Sequence, residues 1–171
     1  SPVLSRLANI SLAAATAHGR LLNWQMALHG FAERPVLGWG PENYNFVFNK
    51  YFDPALYGAE PWFDRTHNIF LDWLISAGVL GLASYLALFA CAFYCIWWKI
   101  KSSDWSLVTK SIFTGLLVGY FFHSIFVFDN LISYILFLSL LAYLQTRAQL
   151  VLAVVTRERV VINLWHWGVA P

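Results

Sequence analysis

From Asn68 to Trp98 the chain runs through apolar residues almost without a break, and Asp72 is the one charged side chain in the run. As a helix this segment is longer than the roughly 30 Å hydrocarbon core of a bilayer, so its first turns must project from the membrane. The rest of the chain cannot enclose such a run in a soluble core, because 59% of all residues are hydrophobic and only 12% are charged. That charged share is about half of what a soluble domain carries. The expectation is an all-α membrane protein, since lipid leaves the backbone no partners except its own helical ones.

Two further spans are expected, from about Ser111 to Phe128 and from about Leu131 to Gln145, with Asp129-Asn130 as the polar turn of a membrane hairpin. The first span is set at about residues 70–98. Within it Ala83, Ala87, Cys91 and Cys95 form a stripe of small side chains that would admit a neighbouring helix. Cys91 and Cys95 read as buried packing residues rather than a disulfide or metal ligands. Trp97, Trp98, Lys99 and Lys101 mark an interface. Three spans put Lys99, Lys101, Lys110, Arg147, Arg157 and Arg159 on one side, which the positive-inside rule makes cytoplasmic. Residues 1–66 then form an extracytoplasmic loop, residues 67–147 the membrane domain, and residues 148–171 a cytoplasmic or interfacial tail. The end of that tail, from Arg157, reads either as an interfacial helix or as a disordered end.

Five of the eleven basic and six of the nine acidic residues fall before position 73, and no run of Lys and Arg occurs. A net charge of +2 built from scattered residues gives no reason to expect nucleic acid. The chain starts Ser1-Pro2-Val3 and shows no signal peptide, so it is expected to be the back part of a longer membrane protein.

The first 66 residues are too charged and too often interrupted to span. Leu21, Trp24, Leu28 and Phe31 recur at helical spacing and the pattern stops at Arg34-Pro35, which predicts an amphipathic helix lying on the bilayer surface. Three short features stand out as candidates for chemistry. They are Arg20-Leu21-Leu22-Asn23-Trp24, then Pro35-Val36-Leu37-Gly38-Trp39-Gly40-Pro41, then the stretch from Trp62 to Asp72 that contains Arg65, His67 and Asn68.

His67 falls at the start of the long helix, where Asp64 or Thr66 can cap exposed N–H groups. The positive helix end disfavours imidazolium, so His67 is expected to be mostly neutral near pH 7 and able to accept a proton. Arg65 beside it adds a fork suited to phosphate oxygens, which would bring a base and an anion site together at the membrane surface. Plainer roles stand beside these. His67 can be only a capping-region residue, Arg65 can pair with Asp64 or lipid headgroups, and Arg20 can snorkel beside its helix. Gly38 and Gly40 read as a sharp turn with positive φ. His123, next to Ser124 in the second span, is a secondary candidate with a hydrogen-bonded structural role as its simplest reading.

An Arg followed four residues later by Trp, then Pro-x-x-Gly-x-Gly, then His-Asn with nine residues before Gly78, resembles the O-antigen ligase family over about Gly19 to Leu88. Gly78-Val79 departs from that family's usual Gly-Leu, although Gly81-Leu82 follows. The resemblance implies a metal-independent, inverting transfer, needing no cofactor. A glycan would pass from an undecaprenyl-diphosphate carrier to an acceptor hydroxyl on the outer side of the bacterial cytoplasmic membrane. His67 would activate or orient the acceptor, and Arg20 and Arg65 would hold the diphosphate. Trp24, Asn68 and His123 are secondary candidates. The acceptor could be a glycolipid, a glycan or a protein, so an O-antigen polymerase and a protein O-oligosaccharyltransferase share the reading. A noncatalytic lipid-glycan transporter or scaffold is the alternative of another class.

Overall fold

The computed structural model describes residues 2–58, 62–100 and 105–166, with side chains within 17–149. All regular structure in the described residues is helical. The elements are α1 (Pro2–Glu33), α2 (Tyr44–Lys50), a 3-10 turn (Pro54–Gly58), α3 (Ile69–Tyr94) with a π turn after it (Cys95–Lys99), α4 (Leu107–His123) and α5 (Leu131–His166). The tail is therefore helical as far as His166, and residues 167–171 lie outside the described residues. Ile69–Lys99 and Leu131–Gln149 are long and apolar enough to cross a membrane, and α4 is a shorter apolar helix.

The chain divides into two compact units, one of residues 1–86 with 121–129, the other of residues 87–120 with 130–171. In the first, α1 stops at Glu33 as Arg34-Pro35 predicts, because a proline disfavours helical geometry in the residue before it and brings no N–H of its own. The face that α1 buries differs from the predicted stripe. Asn23, Met26, Ala27 and Gly30 turn inward, Trp24 and Phe31 are half-buried, and Leu21 and Leu28 are 54% and 49% exposed. Where α2 comes close the inner face is small, with Val47 lying directly over Gly30. Met26, Ala27, Tyr44, Val47, Phe48, Leu56, Phe63 and Ile75 make the core.

α3 is broken. Gly78 has φ 64 and ψ −161, so a short arm (69–77) and a longer arm (79–94) meet at a non-helical residue. In an unbroken helix the carbonyls of Ile75 and Ser76 would accept from the N–H groups four residues on. Here Trp39 N–H donates to Ile75 at 2.6 Å, Gly40 N–H to Ser76 at 3.0 Å, and Val79 N–H turns to the Pro35 carbonyl at 2.8 Å. The Pro35–Gly40 loop thus supplies what the break removes. Its own glycines take positive φ as expected, +68 at Gly38 and +94 at Gly40. A Cβ on Gly38 would strike the Ile75 carbonyl and lie 2.7 Å from the Ala77 nitrogen; one on Gly78 would strike the Val36 carbonyl and lie 2.7 Å from that of Pro35. Both sides of this joint must be glycine for the two backbones to touch.

The second unit is held by rings. Phe89 stacks on Tyr120 and Phe137, and Trp105 stacks on Phe113 and Tyr143. Lys110, buried on α4, donates to the Ile100 carbonyl at 2.8 Å and so satisfies the end of the π turn. Along the long arm of α3 the buried stripe is Tyr85, Phe89, Ala92 and Ile96, whereas Ala83, Ala87 and Cys91 are exposed and Cys95 is intermediate. The expectation that Cys91 and Cys95 are buried packing residues is therefore corrected: stacked aromatic rings fill the buried face of this arm, and the small-residue stripe lies outside it. α4 also ends earlier than expected, at His123, and a non-helical stretch runs from Ser124 to Asn130 before α5.

Candidate active site

The loop that carries His67 is built from side chains reaching its carbonyls. One turn of α1 presents Asn23 and Trp24 together, and Asn23 Nδ2 donates to the Arg65 carbonyl at 3.1 Å while Trp24 Nε1 donates to that of Thr66 at 3.0 Å. Asn23 is itself fixed. The Tyr44 hydroxyl donates to its Oδ1 and stands 3.0 Å from its carbonyl. Burial, and next the nearby Asp72 charge, push the Tyr44 phenol far above its ordinary value, so it remains a donor at neutral pH. The first and third sequence features thus form one assembly.

From the other side, Asp72 Oδ1 accepts the Thr66 N–H at 2.9 Å and stands 2.7 Å from the Thr66 hydroxyl. Asn68 caps α3, its Oδ1 accepting from Phe70 N–H at 3.0 Å and Leu71 N–H at 3.2 Å. The capping role expected of Asp64 or Thr66 belongs to Asn68, because the helix starts at Ile69 and leaves His67 just outside it. Ile69 N–H, another donor of that first turn, reaches the Ser124 carbonyl at 3.0 Å and ties the site to the stretch after α4.

His67 itself has φ +57, a left-handed conformation that costs a side chain bearing Cβ about 1 kcal/mol or more. Its ring stands edge-on to Phe63 and Phe128, with centroids 5.4 and 5.2 Å away. Nδ1 faces the Arg65 carbonyl at 3.4 Å. A carbonyl only accepts, so this long contact suits the tautomer with hydrogen on Nδ1 and the lone pair on Nε2.

Arg65 is paired with Glu42 and not with Asp64. Its guanidinium bonds Glu42 Oε1 at 2.7 Å and lies 5.8 Å over the Phe128 ring, and Glu42 adopts φ +60 at this place. Arg20 lies one turn before Asn23 and Trp24 on the same face of α1, half-buried and bonded to no other described residue. His123 is not part of the assembly: it is the exposed last residue of α4, and its neighbour Ser124 makes the contact through backbone. Nothing in the sequence marks Glu42, Tyr44 or Phe128 for this assembly. Asn23 sat inside a noted motif, and Asp72 as the lone charge of an apolar run was the strongest available signal.

The sequence model of the family described as O-antigen ligase matches residues 2–86. Over that stretch the sequence is that of the O-antigen ligase family. The matched residues are the larger segment of the first unit, which holds every motif of the assembly above. The family is associated with membrane glycosyltransferases of the ligase and polymerase type, acting on lipid-linked glycan and an acceptor. No curated protein and no solved structure matches the chain.

Proposed function

We propose that this chain transfers a glycan from an undecaprenyl-diphosphate carrier to an acceptor hydroxyl, by an inverting displacement that uses no metal, at the outer face of a bacterial cytoplasmic membrane. The observation that carries the reading is His67, held at positive φ with Nδ1 on a carbonyl and Nε2 free to take a proton, within the segment matched by the family.

In this mechanism Nε2 of His67 accepts the acceptor's hydroxyl proton as that oxygen attacks the anomeric carbon. The bond from that carbon to the diphosphate oxygen breaks, and the electron pair leaves on the diphosphate. The leaving group is already good, so positioning and charge neutralisation supply most of the acceleration. Arg20, bonded to no other described residue, holds the diphosphate in this reading. Arg65 joins it by giving up Glu42, an exchange that costs little because Glu42 is 77% exposed and such pairs contribute about 0–1 kcal/mol.

The break in α3 supports the membrane placement of this reading. Residues 79–99, the long arm with its π turn, rise about 30 Å, which matches the hydrocarbon core, while the short arm and His67 stand outside it. With α4 and α5 as the other two spans, the Asp129 turn shares the outer side with the site.

His67→Asn decides the reading. Asn tolerates the left-handed conformation better than most residues and keeps a hydrogen-bonding side chain, yet it takes up no proton. In the full-length protein it is expected to lose transfer by about a hundredfold or more at unchanged abundance and donor binding. Transfer at the wild-type rate would end the proposal and leave His67 a structural residue. Competition between glycolipid, glycan and protein acceptors in the same assay separates ligase from polymerase and protein glycosylation.

A further inference from the structure

Asp72 is the one carboxylate packed into the loop assembly. Its Oδ1 is occupied by Thr66, but Oδ2 is inaccessible to solvent and has no hydrogen-bond partner. Nor is it in a salt bridge with any described residue, and Arg65 and His67 act on it only through space. Lys50 with Glu33 and Arg65 with Glu42 are the ion pairs of the described residues, so the arginine nearest in sequence is committed elsewhere. A buried carboxylate bound only by neutral donors is costly until a positive charge comes near it. The titratable groups around it are Tyr44 on α2, a neutral phenol; Arg65, held by Glu42; and His67. α1 contributes Asn23 and Trp24 to the loop, both uncharged, and Asp129 in the stretch after α4 is engaged with the Tyr85 hydroxyl. Of these groups only His67 gains a positive charge during the proposed reaction.

We propose that Asp72 is a positioning residue for transfer: Oδ1 fixes Thr66 and so the backbone of His67, and the unpaired charge on Oδ2 stabilises the imidazolium that His67 becomes as it takes the acceptor proton. The division of labour resembles that of a buried aspartate behind a catalytic histidine, with the field acting through space rather than through a shared hydrogen bond. It rests on His67 being the base. The proton passes from the acceptor oxygen to Nε2, the electron pair leaves on the diphosphate, and Asp72 gains and loses nothing.

The test is Asp72→Asn in the full-length protein, read as the pH profiles of kcat and KM beside membrane abundance. Asn keeps an oxygen for both Thr66 donors and removes the charge, with an amide NH2 in place of Oδ2. The expected result is unchanged abundance and KM, kcat lower by about tenfold or more, and the acid limb of the kcat profile displaced to lower pH, since His67 loses a charge that favours its protonated form. Thr66→Ala, which loosens the loop and leaves the charge, is expected to keep the limb in its wild-type position. Wild-type kcat with an unmoved limb in Asp72→Asn overturns the inference, as does an equal displacement in Thr66→Ala. If the Asn variant fails to accumulate, Asp72→Glu carries the test: charge is retained, so a displaced limb there is the overturning result. Failure is distinguishable from failure of the functional reading, because inactive His67→Asn with fully active Asp72→Asn removes Asp72 alone.

Discussion

Two loops meet α3 in the first unit, and they are held by opposite means. At its first turn the His67 loop is gripped by side chains: Asn23, Trp24 and Asp72 each bond its backbone. At its break the Pro35–Gly40 loop is joined backbone to backbone, through hydrogen bonds exchanged with Ile75, Ser76 and Val79. A side-chain grip tolerates graded weakening, because each partner can be trimmed separately. A backbone joint does not, because its only sequence requirement is that nothing protrudes. Precision is thus divided between a tunable clamp around His67 and an all-or-none seam at the break in α3.

The largest effect is expected at the seam. Gly78→Val or Gly38→Val puts Cβ into facing backbone at a positive φ, a combined penalty of about 3 kcal/mol or more against a total stability of about 5–15 kcal/mol. Folded protein in detergent extracts should nearly vanish, and normal levels would show that the seam can yield. Asn23→Ala comes next. It removes two buried partners and is expected to cost about 1–3 kcal/mol, read as a lower thermal midpoint, with transfer falling further than stability alone explains. Trp24→Phe removes one hydrogen bond from the same clamp and should cost about 1 kcal/mol, so equal losses for the two would contradict a graded grip. Glu42→Gln should be smallest, within about 1 kcal/mol, because the ion pair it breaks is exposed.

What the sequence revealed follows the same division. Gly38 and Gly40 announced a turn because only glycine enters that backbone region freely, and Arg34-Pro35 announced the end of α1. The partner of that turn stayed hidden, since bonds between main chains leave no side-chain signature beyond a spaced Gly78. The cap was misplaced onto Asp64 or Thr66 because all three polar residues before Ile69 suit the role, and only the observed helix start selects Asn68. Helical periodicity located α1 but not its inner face, where Val47 lies over Gly30 while Leu21 and Leu28 stay exposed. Phe126 to Phe128 continue the apolar pattern of α4, so nothing local signalled a stop at His123. The left-handed backbone of His67 has no sequence mark at all.

The seam also bears on how the chain is made. Ile75 and Ser76 have given their carbonyls to a loop written some forty residues earlier, so the ribosome delivers the partner before the helix that needs it. A segment spanning residues 69–99 released alone has no such partner and is expected to form one straight helix, satisfying those carbonyls itself. The bend in α3 is therefore an acquired shape, imposed by earlier-synthesised chain on a segment whose own preference is to be straight.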